Sequence, residues 1–254
     1  MDIEFLGTGA SDWDVSLRGT SGYRRFSSAL IGGRLLIDPG PHIFGFTEDF
    51  NCAGLLENAG AVIVTHSHGD HLDLKSVSRL CSEGVNKIYC EEHVVPMLSD
   101  VKNIDIHIMP LFEKIDICGF GVTAVPANHG TEICGEQAVH YIAEKDGKRI
   151  FYGCDGAWIR RDAWYYMRNY AYDLFVLDGT LGDDYGDYRI FEHNNLRMAE
   201  IIAETIKNTG VLKDGGKIIL SHFAHGCHGT QAELEKRLAP FGISAAYDGM
   251  RIDI

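Results

Sequence analysis

The feature that most constrains this chain is the run from Ala61 to His71. An apolar tetrad, Ala61-Val62-Ile63-Val64, passes directly into Thr65-His66-Ser67-His68-Gly69-Asp70-His71, which puts four potential metal ligands within six residues. A short apolar segment of this kind reads as a buried strand, and a strand terminus is a stiff base for a polar loop. Neutral imidazole and carboxylate are the usual ligands of zinc and related divalent ions. With 12 histidines in 254 residues, H-x-H-x-D-H arises by accident in roughly one such chain in 500, so the spacing is a specific motif.

The pattern around this loop is strand-rich and then alternating. Ile3 and Phe5 alternate with acids before Gly7-Thr8-Gly9. Residues 28–31 and 34–37 read as strands joined at Gly32-Gly33, a two-residue hairpin signal. Helices are expected over 73–83 and 92–99, and strands over 86–90, 104–109 and 121–126. Asp146-Gly147 joins strands at 138–144 and 148–153. Beyond residue 155, helices are expected over 158–169 and 195–207, the second capped by Asn194 or Asn195 and closed by Gly210. Thr230 with Glu233 forms a capping box for a helix that stops at Pro240. Strands fall at 173–177 and 218–220, and the chain ends in a hairpin around Asp248-Gly249. No repeat or linker interrupts this order, so one compact α/β domain over 1–254 is the expectation.

Composition excludes several classes. A hydrophobic fraction of 45% is incompatible with a disordered chain. No apolar run approaches the roughly 18 residues of a membrane span, and MDIEFLGTGA lacks the basic and apolar regions of a secretory signal. The seven cysteines (52, 81, 90, 118, 134, 154, 227) are odd in number and form no C-x-x-C pair. Reduced, mostly buried thiols in a cytoplasmic protein are therefore expected. The net charge of −13 argues against sequence-blind binding of nucleic acid, which rests on Lys and Arg neutralising phosphates.

With these residues in view, the chain resembles the metallo-β-lactamase-fold hydrolases, whose signature is H-x-H-x-D-H after a buried strand. Phe5-Leu6-Gly7-Thr8-Gly9 looks like that family's first strand and loop, and Leu36-Ile37-Asp38-Pro39-Gly40 like its aspartate-bearing strand end. The resemblance implies an α/β four-layer αβ/βα sandwich, two central mixed sheets flanked by helices. It also implies a ligand set. His66, His68 and His129 would hold one divalent ion and Asp70, His71 and His222 a second, with Asp155 bridging. Zinc is the first candidate, and manganese, iron or nickel also suit these ligands. Two such ions activate a bridging water and clamp an in-line displacement, which places Asp70 and Asp155 in the catalytic set. Asp38 either orients a ligand histidine or caps the turn before Pro39.

The same resemblance narrows the chemistry. His68 stands where dioxygen-reducing members carry Glu. Asp155 stands where the best-known β-lactamases use Cys, and the adjacent Cys154 should face the other way in an extended strand. His193, just before the expected 195–207 helix, and Asp178-Gly179-Thr180 are similar to features of the branch that includes tRNase Z and phosphoribosyl cyclic phosphodiesterase. There a histidine protonates the leaving oxygen or binds phosphate. The cysteine cluster that many cyclic phosphodiesterases carry after the first glycine loop is missing from residues 10–27. Only 25 residues separate His129 from Asp155, too few for the basic arm of bacterial tRNase Z. The expectation is a binuclear phosphodiesterase acting on a small anionic molecule, with His193 as a catalytic residue. Lactone, thioester or amide hydrolysis is the alternative, an RNA-processing nuclease is disfavoured, and a non-catalytic metal-binding module is the remaining class. Arg24 and Arg25 either meet a phosphate or form a solvated surface pair, and residues 182–188 form either a lid or a solvated loop. Dimers are common in this fold, so a homodimer is compatible with the resemblance.

Overall fold

The computed structural model describes residues 1–254. Fourteen strands form two seven-stranded sheets. The first sheet is built from β1 (Asp2–Gly7), β2 (Ser28–Ile31), β3 (Leu35–Ile37), β4 (Ala61–Ile63), β5 (Lys87–Cys90) and β6 (Asp105–Ile108), closed at its other edge by β14 (Arg251–Asp253). The second contains β7 (Lys114–Ile117), β8 (Phe120–Pro126), β9 (Val139–Lys145), β10 (Lys148–Gly153), β11 (Tyr172–Asp178), β12 (Leu212–Ser221) and β13 (Ser244–Ala245).

Strands buried along their whole length, such as β2, β4 and β11, read as continuous apolar runs because both of their faces are covered. Facing side chains of the two sheets, among them Phe5, Ile63, Tyr141, Tyr152 and Val176, form the central core. A second core lies under α3 (Arg161–Met167), α4 (Leu196–Asn208) and α5 (Gln231–Leu238), and a third under α1 (Ile43–Asp49) and α2 (Leu74–Ser82). The order of layers is helix, sheet, sheet, helix, as the resemblance implied. No helix is long and apolar enough to cross a membrane.

Most expected elements form. Asn195 is the residue that caps α4, accepting from Met198 N, and the Thr230–Glu233 capping box is present on α5. The 92–99 segment is a 3₁₀ helix over Glu92–Leu98, with Pro96 inside it. Three features differ. Helix α1 and strand β7 were not expected, although Ile43, Phe46 and Thr47 fall at helical spacing and Lys114-Ile115-Asp116-Ile117 alternates; both segments are short. The terminal hairpin around Asp248-Gly249 does not form: β13 pairs in parallel with β12, while β14 crosses to pair antiparallel with β1 in the other sheet. A turn dipeptide reverses the chain but cannot dictate which sheet edge the next segment meets. All seven cysteines are free; Cys81, Cys90 and Cys154 are buried, while Cys134 is exposed, so fewer thiols are buried than expected.

The topology gathers one set of strand ends. Strands β3 and β4 run parallel, and so do β10, β11 and β12. Their carboxyl ends deliver Asp38, His66, Asp155, Asp178 and His222 to one rim of the sandwich, where ligand sites of open α/β sheets also lie. Backbone and side-chain bonds stitch the two sheets at this rim. Val139 N donates to Thr65 O at 3.0 Å, Phe223 N to Thr8 O at 2.9 Å, and Tyr141 Oη to Val64 O at 2.6 Å.

Candidate metal centre

Local backbone conformation turns the ligands inward. Asp38, Asp155 and His222 follow apolar strands and have φ of +57°, +65° and +62°. Left-handed conformations at non-glycine residues cost of the order of 1–3 kcal/mol each and cluster where function demands an exact direction. Asp and His tolerate them better than branched residues do. Gly40 serves the same end by having no side chain, since a Cβ there would lie 2.2 Å from Asp70 O. The Asp70 loop can therefore pack directly on the Asp38-Pro39-Gly40 turn.

The expected residues converge into two groups. His66, His68, His129 and Asp155 form one, and Asp70, His71, Asp155 and His222 the other, with the ligand atoms of each group lying within 4.8 Å of one another. Asp155 belongs to both. Its Oδ2 lies 3.3 Å from His66 Nε2, 3.0 Å from His71 Nε2 and 3.5 Å from His222 Nε2. Asp70 Oδ2 is 3.3 Å from His71 Nε2 and 3.7 Å from His222 Nε2.

The outward nitrogen of each histidine assigns its tautomer. His66 Nδ1 donates to Thr65 Oγ1 at 2.9 Å, His71 Nδ1 to Asp38 Oδ2 at 2.8 Å, and His222 Nδ1 to Thr180 Oγ1 at 2.8 Å. His68 Nε2 faces Glu132 Oε2 at 3.0 Å, and His129 Nδ1 lies between Glu192 O at 3.4 Å and Asp155 Oδ1 at 3.3 Å. The inward nitrogens then present lone pairs. Yet His68 Nδ1 lies only 3.0 Å from His66 Nε2 and 3.1 Å from His129 Nε2, and His71 Nε2 lies 3.3 Å from His222 Nε2. Lone pairs aimed at one another repel unless a cation lies between them. Asp155 Oδ1 is buried with no well-aligned hydrogen bond, and the nitrogens nearest to it are His193 Nδ1 at 3.0 Å and His129 Nδ1 at 3.3 Å. The donor set thus fits divalent metal ions, by the chemistry of its atoms and by what it leaves unsatisfied.

Two Asp–Thr pairs support this cluster, one from each sheet. Asp38 accepts from Thr65 N at 2.7 Å, from Thr65 Oγ1 at 2.9 Å and from His71. Asp178 accepts from Thr180 N and Thr180 Oγ1, each at 2.9 Å, and from His193 Nδ1 at 3.0 Å. Both aspartates are fully buried. Asp38 therefore orients His71, one of the candidate ligands; its alternative role, capping the turn alone, does not describe these contacts. Glu136 adds a clamp that had no signature in the sequence: it accepts from Ser67 N at 2.8 Å and Ser67 Oγ at 2.5 Å, holding the loop between His66 and His68.

Electrostatics follow from this crowding. Burial acts to raise the pKa of Asp155, but His222, His129 and His193 outweigh it and hold the carboxyl well below its usual range. Asp70 is lowered in the same way, burial being outweighed by His71 and His222. Burial pushes His66 far down. Burial opposes charge on His71 too, yet Asp70 and Asp38 raise it well above 6.5. For His193, burial is outweighed by Asp155 and Asp178, and the pKa rises to about 11.

His193 stands beside this centre. Its ring stacks on His222 at 14°; Nδ1 faces Asp178 Oδ2 and Asp155 Oδ1, each at 3.0 Å, and Thr180 Oγ1 at 3.2 Å, while Nε2 has no hydrogen bond within the protein. Cys154 packs in the intersheet core, away from the ligands, as an extended strand predicts. Arg24 and Arg25 contradict one of the alternatives raised for them, the solvated surface pair. They are buried, at 9% and 6% exposure, so they are not a solvated pair, and their partners are internal. Arg25 is bound by Asp49 and Asp248, and Arg24 by Thr8, Ala246 and Gln231. Residues 182–188 run into a 3₁₀ turn at Tyr188–Phe191 whose aromatic side chains are exposed, and Asn128 Nδ2 donates to Phe191 O at 3.3 Å beside His129.

Comparison with known proteins agrees with this geometry. Residues 33–223 match the model of the β-lactamase superfamily domain. No curated protein matches the chain by sequence. Among solved structures, it is similar to the metallo-β-lactamase-fold protein YhfI from Bacillus subtilis, at 16% identity and a TM-score of 0.75 over 99% of this chain and 98% of that one. It is also similar to Zn²⁺-bound PqqB from Methylobacterium extorquens, at 18% identity and a TM-score of 0.75 over the whole of both chains. Human short-form tRNase Z aligns at 18% identity and a TM-score of 0.70, over 100% of this chain and 99% of that one. At these identities the structural likeness speaks for the fold alone.

Proposed function

The chain belongs to the β-lactamase superfamily and has the metallo-β-lactamase fold, and from that premise we propose that it is a binuclear metal-dependent hydrolase of a small phosphodiester. In this reading His66, His68 and His129 hold one divalent ion, Asp70, His71 and His222 hold the other, and Asp155 serves both. When bound, two such ions lower the pKa of a water and stabilise charge on the oxygens of an in-line displacement. Zinc is the first candidate, with manganese, iron and nickel as competitors.

The remaining steps belong to the chain's own groups. Asp38 and Thr180 fix the tautomers of His71 and His222, so that Nε2 of each is free to ligate. Asp178 and Thr180 hold His193 by Nδ1, which points Nε2 away from both partners. The observation that carries the phosphodiester reading is this placement of His193, anchored on one nitrogen and unbonded on the other, against the ring of a proposed ligand. A protonated Nε2 donates to the leaving oxygen or to a phosphate oxygen. The −13 charge and the short β9–β10 hairpin, in place of a long basic arm, weigh against an RNA substrate.

A second reading keeps the fold and the ions but moves the reaction to a lactone, thioester or amide. One observation favours it: Arg25 is paired with Asp49 and Asp248, and Arg24 lines a separate cavity, so neither serves as a phosphate clamp among the candidate ligands. Metal-loaded protein should cleave bis(p-nitrophenyl) phosphate, and His193→Ala should slow that cleavage. Activity confined to thioester or lactone substrates would refute the phosphodiester reading.

A further inference from the structure

One cavity lies outside the metal centre but adjoins it in the chain. The segment that follows His222 carries Phe223, His225 and His228. With Trp13, Tyr23 and Arg24 from the β1–β2 connection, these residues line a cavity of about 880 Å³, a size typical of small-molecule sites. The two segments are bound together: Trp13 Nε1 donates to Phe223 O at 2.7 Å, and His225 N donates to Asp12 Oδ1 at 2.8 Å. His228 Nε2 donates to Thr180 O at 2.9 Å, the residue whose hydroxyl holds His222.

Arg24 sets this cavity apart. Its guanidinium is buried, lies over the Phe223 ring at 4.5 Å, and is bonded only to neutral acceptors. Nη1 donates to Thr8 Oγ1 and Ala246 O, each at 2.7 Å, and Nη2 donates to Gln231 Oε1 at 2.6 Å. Asp248 is already committed to Arg25 and Thr8. Burial pushes the Arg24 pKa down to about 10, with the field of Asp248 only partly offsetting it. Of five N–H donors, Nε–H and one on Nη2 have no acceptor in the protein. A cation withdrawn from water without a counter-charge is costly, and an anion on its free donors relieves that cost. His228 lines the same cavity, its ring fixed by the bond from Nε2 to Thr180 O.

We propose that this cavity is a subsite for a planar organic anion, with its ring against Trp13 and its charge on the free donors of Arg24. It would receive the part of the substrate remote from the reacting bond. Only that last role rests on the hydrolase reading; the binding of the anion does not.

Isothermal titration of the full-length, metal-loaded protein tests this with sulfanilate, a planar anion and a poor metal ligand, and with its uncharged counterpart 4-aminophenyl methyl sulfone. Sulfanilate should bind at least ~10-fold more tightly. Gln231→Glu places a carboxylate on Arg24 Nη2 while keeping the buried cation, and should remove that preference; Trp13→Ala should weaken both probes. Thermal melting reports whether each variant is folded, and Trp13→Ala carries the test if Gln231→Glu is not. Equal affinity for the two probes, or sulfanilate binding indifferent to Trp13→Ala, overturns the proposal. Sulfanilate binding in a protein that hydrolyses no ester refutes the hydrolase reading and leaves the subsite standing. Hydrolysis without sulfanilate binding does the reverse.

Discussion

Replacing Asp38 by Asn isolates what the buried carboxylate does for the metal centre. The substitution is nearly isosteric, and Oδ1 can still accept from Thr65 N. The other oxygen becomes an NH₂ group facing His71 Nδ1 and Thr65 Oγ1, which stand 2.8 and 2.9 Å from it. Two donors then meet at His71. The ring relieves the clash by moving its proton to Nε2, the atom that must carry a lone pair to bind a cation. To ligate, it has to return to the disfavoured tautomer. Loss of an outer partner of this kind weakens metal affinity about 10- to 100-fold, or about 1.4–2.7 kcal/mol. Thr65 also loses the acceptor for its hydroxyl, so the metal-free variant should be less stable by about 1–3 kcal/mol. Competition with a chromophoric chelator measures the first quantity and urea unfolding of metal-depleted protein the second. Wild-type affinity in a folded Asp38→Asn variant would refute the claim that Asp38 sets the tautomer of His71.

Three further outcomes are expected. His193→Ala should lower kcat for bis(p-nitrophenyl) phosphate by about 10²–10⁴-fold while leaving the bound-metal stoichiometry unchanged; an unaltered kcat excludes His193 from the reaction. Chelation or Asp70→Ala should abolish hydrolysis, and chelation should also lower Tm, because the native state alone brings the lone pairs and carboxylates together; hydrolysis that survives either treatment rules out the metal mechanism. His140 is fully buried, its Nε2 3.3 Å from Asp155 O, and burial pushes its pKa from 6.5 down to about 4. Above pH 6.5 neither the folded nor the unfolded state protonates it. As pH falls towards 4 only the unfolded chain takes up the proton, so up to about 3 kcal/mol of stability is lost across that window. Urea unfolding at pH 7 and pH 5 should show a smaller loss for His140→Gln than for the parent, and equal losses would mean that His140 is not held neutral.

Legibility in the sequence followed the range of the interaction involved. The strand-end residues Asp38, Asp155, Asp178 and His222 were visible as apolar runs that stop at Asp or His, and the family resemblance was what marked Asp155 and His222 among them as ligands. The caps at Asn195 and Thr230 were visible for the same reason, each being settled within three residues. The partner of Asp38 was not: His71 lies 33 positions away, and Thr65, though next to the motif, gains meaning only when β3 and β4 align. Glu136 reaches Ser67 across 69 positions from the other sheet, and nothing in its neighbourhood distinguishes it from any surface glutamate.

The chain's own pattern determines that apolar strands and amphipathic helices form one α/β domain and that one buried strand runs into a loop carrying His66, His68, Asp70 and His71; the two-sheet sandwich and the places of His129, Asp155 and His222 were implied by the family resemblance. Periodicity, turn chemistry and caps are encoded residue by residue. The fold alone decides which edge β13 and β14 join, which oxygen fixes each tautomer, and that Arg24 is buried among neutral acceptors. Those outcomes depend on contacts between segments as far apart as Arg24 and Ala246, 222 positions along the chain. Such contacts are selected by packing and by the cost of leaving a buried charge or donor unpaired, and neither acts until the two sheets have closed on each other.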